Sequence, residues 1–137
     1  MTLTDTGPLV ALLDRGDPAH ATCVGALSQL SVAPFLTTWP CFTEAMYMLW
    51  KAGGYRRQLA LWEMVDEGRV QLHELDPAAL RRTRDLMMQY RDTPMDLADA
   101  SLVAVAEQLR ARRIFTLDGH FRIYRMPDGS VLEMIPA

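Results

Sequence analysis

The chain has 137 residues, half of them apolar, which is enough to bury one core, so we expect a single domain over residues 1–137. No apolar run has the roughly 18 residues that a membrane span needs. The 14 basic and 17 acidic residues give a net charge of −3, which excludes a protein that coats nucleic acid with positive charge. The two cysteines, Cys23 and Cys41, have neither zinc-knuckle nor disulfide-framework spacing; with no secretory pattern at the start, we expect buried thiols and a cytoplasmic location.

The hydrophobic pattern predicts short strands that alternate with helices. A strand around Leu3 ends at Asp5, and Thr6-Gly7-Pro8 opens a helix because proline is favoured in a first helical turn. The later predicted elements, in chain order, are a helix at 18–31, a strand at 35–38, a helix from 40 that ends at Gly53-Gly54, a helix at 55–67, a strand at 70–75, helices at 77–90 and from 93 to about 112, a strand at 114–117, and a hairpin of strands 123–126 and 131–135 around a turn at 127–130.

This alternation predicts an α/β fold, with a central and mostly parallel sheet covered by helices on both faces. Ligands of such sheets bind beyond the carboxyl ends of the strands. Asp5 and Asp118 are each the first polar residue after a predicted strand. We therefore expect both aspartates at the same edge of the sheet.

The helix predicted from Thr93 has an unusual polarity. Between residues 97 and 106 only Asp99 and Ser101 are polar, so the helix is predicted to be buried on most sides. A buried carboxylate is costly unless it is paired or binds a metal, and Asp96 lies one turn earlier on nearly the same face. A cation would stabilise both. Asp96 also has a structural interpretation, as an acid in the first turn of a helix that starts at Thr93.

Each of the other acids also has a structural explanation when it is considered alone. Asp5 or Thr6 could cap the helix that follows, and Asp118 precedes Gly119 as an ordinary turn residue. Glu44 could be an exposed helical glutamate. The set favours a common cleft, because the sheet rule places Asp5 and Asp118 at one edge to which the neighbouring helices can direct the other acids.

Four segments together resemble a known family. They are the opening run from Asp5 to Asp14, the pair Thr43-Glu44, the run from Pro94 to Val103, and Phe115-Thr116-Leu117-Asp118 followed by Phe121. In this order and spacing they resemble PIN-domain ribonucleases, and more narrowly the VapC-type toxins of toxin-antitoxin modules.

The resemblance implies a three-layer α/β/α PIN-like fold with an acidic pocket for Mg²⁺ or Mn²⁺. Asp5, Glu44, Asp99 and Asp118 match the four acidic positions of the family, Asp96 matches an additional acid, and Thr6 matches a hydroxyl residue beside the first aspartate. It also implies an RNA substrate, a cognate antitoxin and a homodimer. His120 departs from the residues frequent at its position, and the sequence assigns it no role.

The donor chemistry agrees with these expectations, because a cluster of carboxylates without His or Cys suits a hard divalent ion. The hypothesis is metal-assisted hydrolysis of RNA: Asp5 and Asp99 hold the main ion, Asp96 and Asp118 complete its shell or a second weak site, and Glu44 orients or deprotonates the attacking water. The alternative is a catalytically inactive PIN-like module that binds RNA or protein. Because the chain has no glycine-rich phosphate loop, a phosphate-transfer protein is disfavoured.

Two further groups of residues bear on partners. Setting aside the five pocket acids leaves 12 acids against 14 bases, so the remaining surface can accept RNA. For each arginine cluster we favour a solvated face over a phosphate contact. Five aromatic residues follow the second strand, and we expect core packing for at least half of them and a groove for an antitoxin helix or a dimer contact for the rest: Trp39, Tyr47, Trp50, Tyr55 and Trp62.

Overall fold

Parallel strands form the centre of the molecule. The structure is a computed structural model that describes residues 1–30 and 34–137. Within these residues the sheet has the order β3-β2-β1-β4-β5, and every neighbouring pair is parallel. The strands are β1 (Thr2–Thr4), β2 (Phe35–Thr38), β3 (Val70–His73), β4 (Arg113–Phe115) and β5 (Glu133–Ile135).

Helices connect these strands and cover both faces of the sheet. They are α1 (Thr6–Leu13), α2 (His20–Ala26), α3 (Trp39–Gly53), α4 (Tyr55–Asp66), α5 (Pro77–Gln89) and α6 (Leu97–Leu109), with short 3₁₀ helices at Leu27–Gln29 and Gly119–Arg122. The helix predicted at 18–31 is shorter than expected, and its last predicted residue, Ser31, lies outside the described residues. Among the described helices, none has the length and apolar character that a membrane span requires.

The alternation of strand side chains separates two apolar layers. Leu3, Leu36 and Ile114 pack against α6 on one face of the sheet. On the other face, Phe35 and Phe115 contact each other with ring centroids 5.8 Å apart, and Phe115 packs with residues of α1 and α2. The predicted three-layer α/β/α fold is confirmed.

Most predicted element boundaries agree with the structure to within one or two residues. Helix α3 ends at Gly53 as the sequence indicates, because Gly54 has a φ of 75°, a conformation that favours glycine. Strands β3 and β4 each end two residues earlier than predicted, at His73 and Phe115.

The buried helix was predicted to start too early. Helix α6 begins at Leu97, with Asp96 as its N-cap rather than as a residue of its first turn. The Asp96 carboxylate accepts from Asp99 N at 2.8 Å, while Asp96 N donates to the Asp99 carboxylate at 3.3 Å. This reciprocal capping box fixes the helix start. The prediction that α6 is buried is confirmed, because residues 98–106 are all buried.

The predicted C-terminal hairpin is wrong. The turn forms at 127–130, where Met126 N donates to Ser130 O at 2.8 Å, but residues 123–126 form no strand. Tyr124 is instead buried among the residues packed on α6, with its ring 5.2 Å from that of Phe121. Strand β5 pairs in parallel with β4, because burial of these aromatic rings takes precedence over local pairing.

The expectation that at least half of the five aromatic residues pack in the core is also wrong. All of them are exposed, with relative accessibilities between 41% and 62%. They lie on the outer faces of α3 and α4, whose inner faces are filled by other apolar residues such as Phe42, Leu49 and Leu61.

Candidate active site

The order of the strands creates a crevice at the carboxyl edge of the sheet. From β1 the chain proceeds outward to β2 and β3, and it then returns to β4 on the other side of β1. The carboxyl ends of β1 and β4 therefore flank the point at which the direction of the connections reverses, where α/β folds bind ligands. Asp5 directly follows β1, and Asp118 lies three residues after β4.

All five acids predicted from the sequence line one cavity at this edge, which has a volume of about 250 Å³. Thr6 and Gly7 of α1 and Met48 of α3 contribute to the same wall. The structure thus brings together, from four separate segments of the chain, Asp5, Glu44, Asp96, Asp99 and Asp118.

Asp5 lies at the base of the cavity and is 7% exposed. Its carboxylate accepts from Thr6 N at 2.7 Å and from Thr116 Oγ1 at 2.8 Å, so both of its oxygens have a donor. The hydroxyl of Thr6 donates to Cys41 O at 3.3 Å and thereby joins the start of α1 to α3. Burial raises the pKa of Asp5 above its ordinary value, and the charges of Asp118 and Asp96 contribute in the same direction.

Asp99 is the second buried carboxylate, also 7% exposed. One of its oxygens accepts from Asp96 N, and Tyr124 Oη lies 3.4 Å from that same oxygen. The hydroxyl of Tyr124 also donates to Pro94 O. Burial, followed by the charge of Asp96, raises the pKa of Asp99 to about 7. This carboxyl therefore changes its charge near neutral pH.

Glu44 lies on α3, lines the cavity and is exposed. Partial burial raises the pKa of its carboxyl, as do the charges of Asp96 and Asp5. A glutamate with a raised pKa is a better proton acceptor than an isolated one, which suits a general base.

Asp118 links the cavity to His120. Its carboxylate lies 2.7 Å from His120 Nδ1 and accepts from His120 N at 2.9 Å. Its own N–H donates to Thr116 Oγ1 at 3.0 Å. Thr116 therefore connects Asp118 to Asp5 through one hydroxyl, and His120 lines an adjoining cavity together with Asp96 and Asp99.

Three of the acids also cap helices, which the sequence suggested for Asp5 but not for Asp96, expected inside a first turn, or for Asp118, expected as a turn residue. Asp5, Asp96 and Asp118 each occupy the N-cap of the helix that follows and accept from a backbone N–H. These bonds fix the direction of each carboxylate, and an oxygen that caps a helix has further lone pairs for a ligand. Helix capping and ligand binding are therefore compatible here.

The negative charge of the cavity has no lysine or arginine to balance it. Among residues 1–30 and 34–137, neither residue type forms an ion pair with any of the five acids, and His120 is the one histidine in contact with them. Arg57 and Arg82 pair with acids outside the cavity, with Asp14 and Glu107 respectively. A cation at this position would lower the repulsion that raises the carboxyl pKa values.

The donor set fits Mg²⁺ or Mn²⁺ and excludes a closed all-protein cage. It offers carboxylate oxygens and no free thiolate, since burial raises the pKa of Cys41 to about 12. Within the described part of the chain, no three His, Cys, Asp or Glu side chains are grouped closely enough to hold one ion directly. Mg²⁺ retains several waters and commonly uses only one or two carboxylates, which matches this open arrangement.

Four residues of the site were missed by the sequence reasoning or given no role in it. Thr116 donates to Asp5, Tyr124 lies beside Asp99, His120 contacts Asp118, and Cys41 Sγ lies 3.9 Å from Asp5 Oδ1. Thr116, in the segment just before Asp118, offered a signal, because hydroxyls beside a carboxylate often donate to it. Tyr124 offered none, since its segment was interpreted as a strand.

Comparison with known sequences identifies the class to which this α/β/α fold, with acids at its topological switch point, belongs. The chain belongs to the PIN domain family, whose family model matches residues 2–126. The chain is similar to ribonuclease VapC26 of Mycobacterium tuberculosis, with 28% identity over 139 residues that cover 98% of this chain and 99% of that protein.

Two solved structures share the fold. VapC20 of Mycobacterium tuberculosis, described as a toxin that cleaves the sarcin-ricin loop, superposes with a TM-score of 0.82 at 18% identity and covers 90% of this chain and 94% of its own. A toxin-antitoxin complex from Klebsiella pneumoniae contains a chain with a TM-score of 0.69 at 18% identity, covering 98% of this chain and all of that one.

Proposed function

We propose that this protein is an endoribonuclease that depends on Mg²⁺ or Mn²⁺ and acts as the toxin of a toxin-antitoxin pair. The observation that carries the proposal is the convergence of five carboxylates, without a lysine or arginine partner in the described chain, on one cavity at the carboxyl edge of the sheet. Membership of the PIN family and the similarity to ribonuclease VapC26 support an RNA substrate.

The buried acids and the exposed acid have different roles in this proposal. Asp5 and Asp99 would hold the main divalent ion, and Asp96 and Asp118 would contribute to its outer contacts or to a second, weaker site. When bound, the ion offsets phosphate charge and polarises the scissile bond. Glu44 orients the attacking water and accepts its proton, a role that its raised pKa favours.

The neighbouring hydrogen bonds keep these carboxylates in place. Thr116 and the backbone of Thr6 hold Asp5, while the capping box with Asp96 holds Asp99. Because the donors are backbone groups or buried side chains, the orientation of the acids does not depend on substrate. The site is therefore preorganised for charge that develops near the cavity.

Cleavage assays with purified protein test the catalytic proposal. RNA should be cut in the presence of Mg²⁺ or Mn²⁺, cutting should stop with EDTA, and Asp5→Asn and Asp99→Asn should each abolish it. Asp85→Asn, on an exposed part of α5, is the matched control and should cut normally. Continued cleavage by both cavity variants would overturn the proposed site, and RNA binding without cleavage by the parent chain would favour the inactive binding module.

As a toxin, the protein is proposed to bind a cognate antitoxin, to form a homodimer and to act in the cytoplasm. Residues 1–137 are proposed to form a single domain. The similarity to a chain of the Klebsiella pneumoniae toxin-antitoxin complex supports the partner, and it extends over the whole length of that chain. Expression of the protein should stop cell growth, and co-expression of a short adjacent reading frame should restore it. Normal growth during expression of folded, active protein would contradict the toxin role.

A further inference from the structure

A second cavity opens beside the carboxylates and has a different chemical character. It has a volume of about 730 Å³ and is lined by the exposed rings of Trp39 and Tyr47 on α3 and by Leu97 at the start of α6. Glu44 and Asp96 line both this cavity and the acidic one. We call this second cavity the aromatic groove. A ligand held at the acids can therefore extend directly into it.

Both rings of the aromatic groove have a partner within the chain and are still partly exposed. Trp39 Nε1 donates to Glu74 Oε1 at 3.0 Å, and the indole packs edge-on against Phe42 with centroids 5.7 Å apart. Lys51, the only lysine of the chain, has its Nζ 5.4 Å from the centroid of Tyr47. The rings are nevertheless 41% and 61% exposed. A ring that is already oriented loses little entropy when a flat partner stacks on it.

The charges around the groove favour a neutral, flat occupant. Glu44 and Asp96 line the groove and repel phosphate, so the groove itself suits an uncharged base. Lys51 offers a positive charge to a phosphate farther along an RNA chain. A second copy of this chain is disfavoured, because its apolar face would bury both carboxylates without pairing them. Every nucleobase has a flat face that stacks on aromatic rings.

Resting on the proposed ribonuclease function, we propose that Trp39 and Tyr47 form a stacking platform for an unpaired base next to the scissile phosphate. In a duplex the bases are stacked on one another and cannot reach the platform, whereas an unpaired base can turn outward onto an aromatic side chain. The two residues are specificity-determining contacts and take no part in the bond cleavage.

Matched aromatic residues on the same surface provide controls. Trp50 lies farther along α3 and is 56% exposed, and Tyr55 on α4 is 62% exposed, but neither lines the groove. Trp50→Ala controls for Trp39→Ala, and Tyr55→Ala controls for Tyr47→Ala. The conservative variants Trp39→Phe and Tyr47→Phe retain a ring and should preserve binding, and they also serve if the loss of Trp39 prevents folding.

The test measures binding of short RNA to the full parent chain in Ca²⁺ instead of Mg²⁺, so that a divalent ion can bind at the carboxylates while cleavage is slowed. Two single-stranded oligoribonucleotides are compared, identical except that one carries abasic residues in its central part. Loss of either groove ring should weaken binding of the normal oligonucleotide by about tenfold and leave binding of the abasic one unchanged. The two control variants should bind both as the parent does.

Three results would overturn the platform. The first is unchanged affinity in both groove variants, and the second is an equal loss with the abasic oligonucleotide. The third is an equal loss in Trp50→Ala together with a change from dimer to monomer in light scattering, which would assign this face to a contact between copies. Failure of the parent chain to cut RNA would instead reject the ribonuclease proposal. The difference in binding between the normal and the abasic oligonucleotide would still show whether the two rings stack on a base.

Discussion

The substitution Asp99→Asn is expected to stabilise the fold while it abolishes the proposed activity. Asparagine has almost the same size as aspartate, and its amide oxygen can still accept from Asp96 N, so the capping box is retained. What disappears is a buried negative charge that faces Asp96, Asp5 and Asp118. A residue kept for ligand binding at the expense of stability behaves in this way.

The size of the effect follows from the titration of Asp99. Its pKa is raised from 3.8 to about 7, so between these values the folded chain keeps a proton that the unfolded chain has released. Stability therefore falls as the pH rises through this window. The full difference corresponds to about 4 kcal/mol above both pKa values. Because water in the cavity screens part of the charge, we expect about 2 kcal/mol at about pH 8.

Urea unfolding of parent and variant, followed by circular dichroism in EDTA, measures this difference. At about pH 8 the midpoint of Asp99→Asn should lie about 1 M above that of the parent, and the gap should shrink towards about pH 4. Asp85→Asn, whose carboxylate is exposed and paired only with Arg84, should change stability by less than about 0.5 kcal/mol at either pH. A variant no more stable than the parent at the higher pH, or a gap independent of pH, would refute the reasoning.

Three other outcomes are expected. Millimolar MgCl₂ should raise the urea midpoint of the parent at about pH 8 but leave that of Asp99→Asn almost unchanged, because only the parent retains both acids assigned to the main ion. Equal shifts in the two proteins would contradict this assignment. Thr116→Val should lower the free energy of unfolding by about 1–3 kcal/mol, because Asp5 and the N–H of Asp118 lose their shared hydroxyl, whereas Thr116→Ser keeps the hydroxyl and should restore the stability. Equal stability of the two variants would argue against the hydrogen bond between Thr116 and Asp5. Tyr124→Phe should cost about 1 kcal/mol in urea unfolding, because Pro94 O loses its donor, and neutral behaviour would contradict that contact.

The sequence by itself determined the layered architecture and the composition of the candidate site. Strands and helices were recognisable because their apolar periods are local properties, and proline and glycine marked several of their ends. The acids were identifiable because strand ends in a parallel sheet share one edge, and because Asp99 interrupts an otherwise apolar helix. These inferences needed no knowledge of which distant residues meet.

Only the tertiary structure decided how the acids are held and what surrounds them. Thr116 and Asp5 are 111 positions apart, and no local pattern announces their hydrogen bond. The predicted C-terminal hairpin does not form, because the burial of Tyr124 against α6 outweighs the local turn signal. The sequence also did not predict the exposure of Trp39 and Tyr47. An aromatic residue packs inside or faces solvent according to which face of its helix the rest of the chain covers. Periodicity specifies elements, whereas contacts between distant residues specify the groove and the orientation of its carboxylates.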